Sequence, residues 1–313
     1  MRGSFRRQRG VALVLVIWVT VILTVVAASF IMERRSEAMV VLNSVAMART
    51  EAAANAGVAR AIAESYRNDP TALDAWKRDG SPHDWVFEGI PVRVEMRDES
   101  AKIDINTASE ALLRGLLVTA GLNDDEASRL LDAILDWRDP DSLKRPNGAE
   151  EDDYRAAGLP YKPGNAPFQA QEELQLVLGM RPEIYRRLAP SITVYSRQPG
   201  VNPQVASRDV LMAIPGLTTE IVDDYIARRE AALAAGQPMP TLTQAGGFAS
   251  GTSPVINVRS VAQSEDGTVF SREAVALLRP VPRKPVTYVA WRESTAAPPA
   301  AAAPGQPPVP GTQ

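Results

Sequence analysis

The densest chemistry in the chain is a run of acids in two arms. Asp136-Trp137-Arg138-Asp139-Pro140-Asp141 is followed by Pro146-Asn147-Gly148-Ala149-Glu150-Glu151-Asp152-Asp153-Tyr154. Only four basic residues lie between Asn123 and Asp153, so the carboxylates repel one another unless a cation intervenes. A hard divalent ion would remove that repulsion, and calcium suits an irregular loop because it accepts about 6–8 oxygens without strict geometry. The spacing is not that of a regular EF-hand, and a solvated acidic loop is the plain alternative. A paired-carboxylate hydrolase, with Glu150 as acid and Asp153 as base, is disfavoured. Both groups sit on one arm, whereas that chemistry holds them across a cleft.

Other reactive chemistry is scarce. There is no cysteine and a single histidine, His83, which excludes thiolate catalysis, disulfides and iron–sulfur clusters and leaves ordinary zinc sites without ligands. His83 has no nucleophile motif around it and reads as a surface residue. No glycine loop for phosphate is present. With 34 basic and 37 acidic side chains the net charge is −3, which gives no long-range pull toward nucleic acid.

The acidic arms need helices to hold them. Leu112, Leu113, Leu116 and Leu117 suit one helix, and Ala127, Leu130, Leu131, Ile134 and Leu135 suit another that Asp136 closes. Further helical pieces are expected at Pro167–Leu178, at Glu183–Leu188, from Asn202 through Ile214, and at Thr219–Arg229. Two segments, Ile105–Leu122 and Val201–Leu217, resemble helix-hairpin-helix units that hold a DNA phosphate. Asp124, Asp125, Glu126, Glu220, Asp223 and Asp224 crowd them with negative charge, so packing is the preferred role and no nucleic acid is expected.

Strand signals flank this block. Trp85–Phe87 and the alternation Val92, Val94, Met96 precede it, with Gly89 and Pro91 at the turn and Ile103–Asn106 continuing the extended path. Val255–Arg259, Val261–Ser264, Val269–Ser271 and Ala274–Arg279 follow it, with Asp266-Gly267 as a turn and Val286–Trp291 as a last edge strand. Residues 293–313, rich in alanine and proline, are expected to be disordered.

The first third of the chain is of another kind. Arg2, Arg6, Arg7 and Arg9 precede Val11–Met32, an apolar run of 22 residues without a charge. As a helix that run is about 33 Å long, enough to cross a bilayer core of about 30 Å. Helical spacing continues through Val41, Leu42, Val45, Ala48, Ala52, Ala59 and Ile62, with no proline before Pro70, so Val11–Asn68 reads as one helix. Excess Arg before the span places the N-terminus in the cytoplasm and the remainder outside it. A cleaved signal peptide ending near Ala27-Ala28-Ser29 is the competing reading.

The junction Arg9-Gly10-Val11-Ala12-Leu13, the acidic arms, Pro163–Phe168 and Glu172-Glu173-Leu174 together resemble the K-type minor pseudopilins of bacterial type II secretion. The resemblance implies an α+β pseudopilin fold: a long N-terminal helix on a small antiparallel sheet, with a large inserted helical domain. The implied layout is a leader at 1–10, the membrane part of the helix at 11–32 and its periplasmic part at 33–68. Sheet segments fall at 82–106 and 250–292, around the insertion at 107–240. It also implies cleavage by a prepilin peptidase after Gly10 and methylation of Val11. Leu15 stands where most pilin-like subunits carry glutamate, a departure typical of the K family. Calcium is the implied cofactor, with Asp136, Asp139, Asp141, Glu150 and Asp153 as ligands. The implied partners are I-type and J-type minor pseudopilins, other pseudopilins and the inner-membrane assembly platform, with secreted cargo or the secretin beyond them. The implied role is non-enzymatic: capping the pseudopilus tip, helping to start its assembly and exporting folded proteins. A tethered or soluble periplasmic calcium-binding protein and a DNA-uptake factor are the alternatives.

Overall fold

The uninterrupted apolar periodicity of the N-terminal third produces a single helix, α1 (Arg9–Ser65), of 57 residues and about 86 Å. The structure, a computed structural model, describes residues 9–67, 75–279 and 284–294. The leader before Arg9 and the expected disordered tail after Ser294 lie outside these residues, as does Asn68. The first part of α1 is long and apolar enough to cross a membrane, and none of its most apolar stretch is buried in the protein. Burial begins at Thr50 and takes in Ala53, Ala54, Gly57, Val58 and Ala61.

After α1 come β1 (Asp79–Phe87) and β2 (Ile90–Asp98). Glu88 and Gly89 between them have φ of 45° and 81°, the positive pair that a tight two-residue hairpin turn requires. An insertion then interrupts the sheet. It contains β3 (Ile103–Asp104), α2 (Glu110–Thr119), α3 (Asp124–Arg138), α4 (Glu151–Ala156) and α5 (Pro182–Leu188). It continues with β4 (Ile192–Thr193), α6 (Arg208–Met212) and α7 (Thr219–Ala234). The chain returns to the sheet as β5 (Val255–Gln263), β6 (Val269–Leu278) and β7 (Val286–Glu293).

The main sheet is antiparallel, in the order β1-β2-β5-β6-β7. Val92, Val94 and Met96 of β2 join Ile256, Val258, Ala274 and Ala276 under α1. Gly57 makes this contact possible: a Cβ there would lie 2.2 Å from Ser260 Oγ and 2.8 Å from Val92 Cγ1. The fold is therefore a long helix on a small antiparallel sheet with an inserted helical domain, as the resemblance implied.

Several local expectations change. Val255–Arg259 and Val261–Ser264 fuse into one strand, and so do the two segments of β6. Pro167–Leu178 contains only a 3₁₀ turn, Gln171–Leu176, entered from an extended Ala170, because the Phe168 amide is drawn to Asn106 Oδ1 in the segment entering the insertion. Ile103–Asp104 leaves the main sheet and pairs in parallel with Ile192–Thr193. Ile103 and Ile105 are buried in the helical core, whose apolar burial outweighs extension of β2. His83 is half-buried rather than surface-exposed, stacked on Trp76 with ring centroids 4.8 Å apart. Burial lowers its pKa, with Asp79 opposing.

The insertion has its own core, centred on Leu112, Leu117, Leu130, Tyr154, Leu211 and Tyr225. Buried Asp98 ties its entrance to its exit, accepting hydrogen bonds from Ser100 N (2.9 Å) and Ser253 N (3.0 Å).

Candidate functional site

The acidic arms hang from the end of α3, whose start is fixed by a capping box. Asn123 accepts from Glu126 N at 2.9 Å and Glu126 reaches back to Asn123 N at 3.3 Å. At the other end Arg138 donates to Ile105 O (2.5 Å) and Ala108 O (3.3 Å), anchoring the helix terminus to the segment entering the insertion. The aromatic wall beneath is Trp137 stacked on Phe168, centroids 5.9 Å apart, with Tyr154 tilted against Trp137 at 6.1 Å. Burial pushes the Tyr154 hydroxyl up to about 12, and it accepts from Leu178 N at 3.0 Å.

Asp136 is fully buried. Its carboxylate accepts long bonds from Arg145 N, 3.3 and 3.4 Å, and makes a loose ion pair with Arg145 Nε at 3.7 Å. Gly148 lies against it so closely that a Cβ would fall 1.9 Å from Asp136 Oδ2. The two arms of the loop therefore meet at this carboxylate. Burial raises the Asp136 pKa, partly offset by hydrogen bonds from the Arg145 and Ala149 amides, with Asp139 adding repulsion.

Two further carboxylates are poorly satisfied. Asp139 Oδ1 and Glu150 Oε1 are buried and have no hydrogen-bond partner among the described residues. Burial raises both pKa values. Asp141 adds repulsion at Asp139, while Asp136, Asp139, Asp141 and Asp153 all do so at Glu150. Glu150 is thus the group on which the other four expected residues act. Asp141 itself is exposed and turns the loop, accepting from Leu143 N at 2.8 Å. Asp153 is the best satisfied. It accepts from Lys144 Nζ (2.6 Å) and from Glu150 N (2.9 Å), and the Lys144 bond is the main cause of its lowered pKa. Holding the Glu150 amide in this way starts α4 and ties Asp153 to its supposed catalytic partner, so the pair is not set across a cleft.

Sequence reading overlooked one residue, Asn165. Its amide donates to Asp141 O at 2.6 Å, while its Oδ1 is buried without a partner among the described residues. Its φ of 43° is the left-handed conformation that asparagine tolerates better than most side chains. An asparagine inside Pro163-Gly164-Asn165-Ala166-Pro167 was the available signal.

Asp139, Glu150 and Asn165 thus each present an unpaired buried acceptor oxygen, and leaving such a group unsatisfied costs about 1–3 kcal/mol. The donor set is all oxygen, which fits a hard cation. Among the described residues, no three carboxylates or imidazoles form a metal cage by themselves. Calcium does not need one, because it also takes amide, backbone carbonyl and water oxygens.

The processing residues lie elsewhere. The backbone of Gly10 and Val11 is within the first turns of α1, and Leu15 is exposed on the same helix.

A family model described as type II secretion system, protein K, matches residues 94–199. Type II secretion system protein K of Pseudomonas aeruginosa is 28% identical over 243 residues, covering 70% of this chain and 72% of that protein. The Dickeya chrysanthemi protein is 27% identical over 241 residues, covering 60% and 66%. Among solved structures, the GspK–GspI–GspJ complex of the enterotoxigenic Escherichia coli type 2 secretion system contains a chain with the same fold. That chain is 17% identical with a TM-score of 0.57, and the match covers 84% of this chain and all of that one. The family model crosses from β2 through the acidic arms to the residues after β4, and the other matches extend the likeness well beyond it. The chain is similar in sequence to type II secretion system protein K and shares the fold of a chain of that complex.

Proposed function

We propose that this chain is a minor pseudopilin that caps the tip of the type II secretion pseudopilus, helps to start its assembly and promotes export of folded proteins. The single observation that carries this reading is the place of the insertion. A domain with a core of its own interrupts the sheet between β2 and β5, a bulk that is hard to repeat along a narrow filament but tolerable at its end. Leu15 agrees with that position. A carboxylate in lipid is costly without a partner, and a subunit at the tip has no neighbour ahead whose terminal amine would need one.

In this reading α1 is anchored in the inner membrane with its N-terminus in the cytoplasm and the folded part in the periplasm. The basic residues before the span support that orientation. A prepilin peptidase would cut after Gly10 and leave a methylated Val11. The partners would be I-type and J-type minor pseudopilins, the kind of assembly in which the Escherichia coli GspK chain was solved. The contribution is binding and mechanics.

Calcium belongs to the same reading. Asp139, Glu150 and Asn165 would hold it through their unpaired oxygens, with Asp136, Asp141 and Asp153 supplying charge nearby. Bound calcium would neutralise the loop and pin the two arms together in a chain without disulfides.

Mass mapping of the mature N-terminus tests the reading most directly. A methylated Val11 in membrane fractions is expected, and a soluble protein beginning near Ser29 or Phe30 would overturn it. Cysteine pairs engineered between this chain and its I-type partner should then crosslink only when both are processed.

A further inference from the structure

The main sheet ends in two edges that are guarded very differently. β1 carries Pro82 and Asp84, and its register slips between Asp79 and Pro82. Proline, charge and irregular register all discourage further pairing. Among the described residues β7, at the other edge, pairs only with β6, and it has neither charge nor proline before Arg292. Tyr288, Val289 and Trp291 are 47%, 44% and 44% exposed. An apolar strand with an open row of backbone donors and acceptors is a template for another strand.

A cleft of about 560 Å³ adjoins this edge, between the sheet and the Val194–Gln198 segment of the insertion. Val194, Val255, Leu277 and Val289 supply apolar walls, and Arg197 and Arg279 contribute to the lining. Both arginines are exposed, and neither side chain has an ion pair or hydrogen bond among the described residues. Arg197 is held in a left-handed conformation, φ 54°, by the Asp104 carboxylate, which accepts its amide at 2.7 Å. The insertion therefore maintains an unfavourable backbone geometry beside an unpaired guanidinium.

We propose that β7 is a docking edge for an extended segment of another protein, apolar at alternate positions and bearing a carboxylate received by Arg197 and Arg279. Strand addition would satisfy the open backbone row and place every second side chain of the segment on the cleft side. Two unpaired guanidiniums make an acidic group the complementary charge. The inference goes beyond tip placement and does not require it.

The test uses the full chain in detergent and a short fluorescent peptide alternating valine and threonine around a central aspartate, followed by anisotropy. Saturable binding is expected. It should weaken about tenfold in an R197A/R279A variant, weaken with added salt, and be lost in Val289→Asp, while Val289→Thr keeps it. The same peptide with lysine in place of aspartate should not bind. Should Val289→Asp fail to fold, the arginine variant and the lysine peptide still decide. Several outcomes would overturn the proposal: no saturation, equal binding of the lysine peptide, or self-association of the chain through β7 in sedimentation. A site that opens only after deletion of residues 295–313 would do so too, since the chain's own terminus would then be the occupant.

Discussion

The unit built from α1 and the main sheet and the inserted domain solve the same problem with different materials. Under α1 the contact is mainly apolar and depends on closeness, with Gly57 seated against Ser260 and Val92 and with Arg272 of β6 bonded to Glu51 and Asn55. The insertion has an apolar core as well, but beside it three buried acceptor oxygens lack partners and three carboxyl groups are held above their usual range. The first region also leaves buried polar atoms unpaired among the described residues, Ser260 Oγ and Ser271 Oγ among them, but these hydroxyls carry no charge. The second carries a local excess of negative charge that a cation can neutralise, and so its stability should respond to the medium.

The largest effect should come from breaking the apolar contact. Gly57→Leu would force α1 off the sheet and destabilise that unit by about 3 kcal/mol, the upper part of the range for overpacking. Chemical unfolding followed through Trp76 and Trp85 fluorescence measures it, and a change below 1 kcal/mol would mean the helix is not seated as described.

Calcium sharpens the contrast next. At about a hundredfold excess over its dissociation constant, an ion held only by the folded state adds about 2.7 kcal/mol. The melting temperature of the insertion should rise by about 5–10 °C, with no shift in the helix–sheet unit. A D139N/E150Q variant should melt higher than the wild type without calcium and lose the response to it. Acidity gives the same answer from the other side. Asp136, Asp139 and Glu150 have folded pKa values above their unfolded ones, so their penalty is full at neutral pH and fades as pH falls through the raised values. Calcium-free protein should therefore gain stability from these groups on mild acidification, and calcium-loaded protein should not.

Gly148→Ala is the corresponding close-contact change in the loop. Its Cβ would collide with Asp136 Oδ2, a group with no room to retreat, and about 2 kcal/mol should be lost. Differential scanning calorimetry should place the loss in the insertion alone.

The smallest effect concerns the link between the two regions. Arg292 of β7 meets Glu172 of the insertion at 2.9 Å and Glu273 of β6 at 3.4 Å. These side chains are partly exposed, so Arg292→Ala should cost about 0.5–1 kcal/mol, less at high salt. Burial alone would raise the Glu273 pKa, but bonds from Asn257 and Arg292 outweigh it and the value falls. That share of the stability is present above the unfolded carboxylate pKa of about 4.3 and disappears as pH drops through the lower folded value. Urea titrations at two pH values would show it.

Much of this molecule was legible from local pattern. The apolar run from Val11 to Met32, the leucine spacing of α2 and α3 and the alternation Val92, Val94, Met96 each reflect a face that must leave water. The acidic arms were visible as composition. Their geometry was not: nothing in the sequence says that Asp153 is engaged by Lys144 while Glu150 Oε1 has no partner. Asn165 was missed because its role depends on the approach of a distant turn to Asp141. The pairing of Ile103 with Ile192 was unreadable for the same reason, since it joins residues far apart in the chain.

The sequence by itself determined the long N-terminal helix, the strand-rich flanks around a helical middle and the place where negative charge accumulates. These follow from periodicity and composition, which act over a few neighbouring residues. Only the tertiary structure decided which acids lost water without gaining a partner, which edge of the sheet stayed open and which arginines were left unpaired. Those outcomes depend on which distant segments exclude solvent from one another, and short-range pattern carries no record of it.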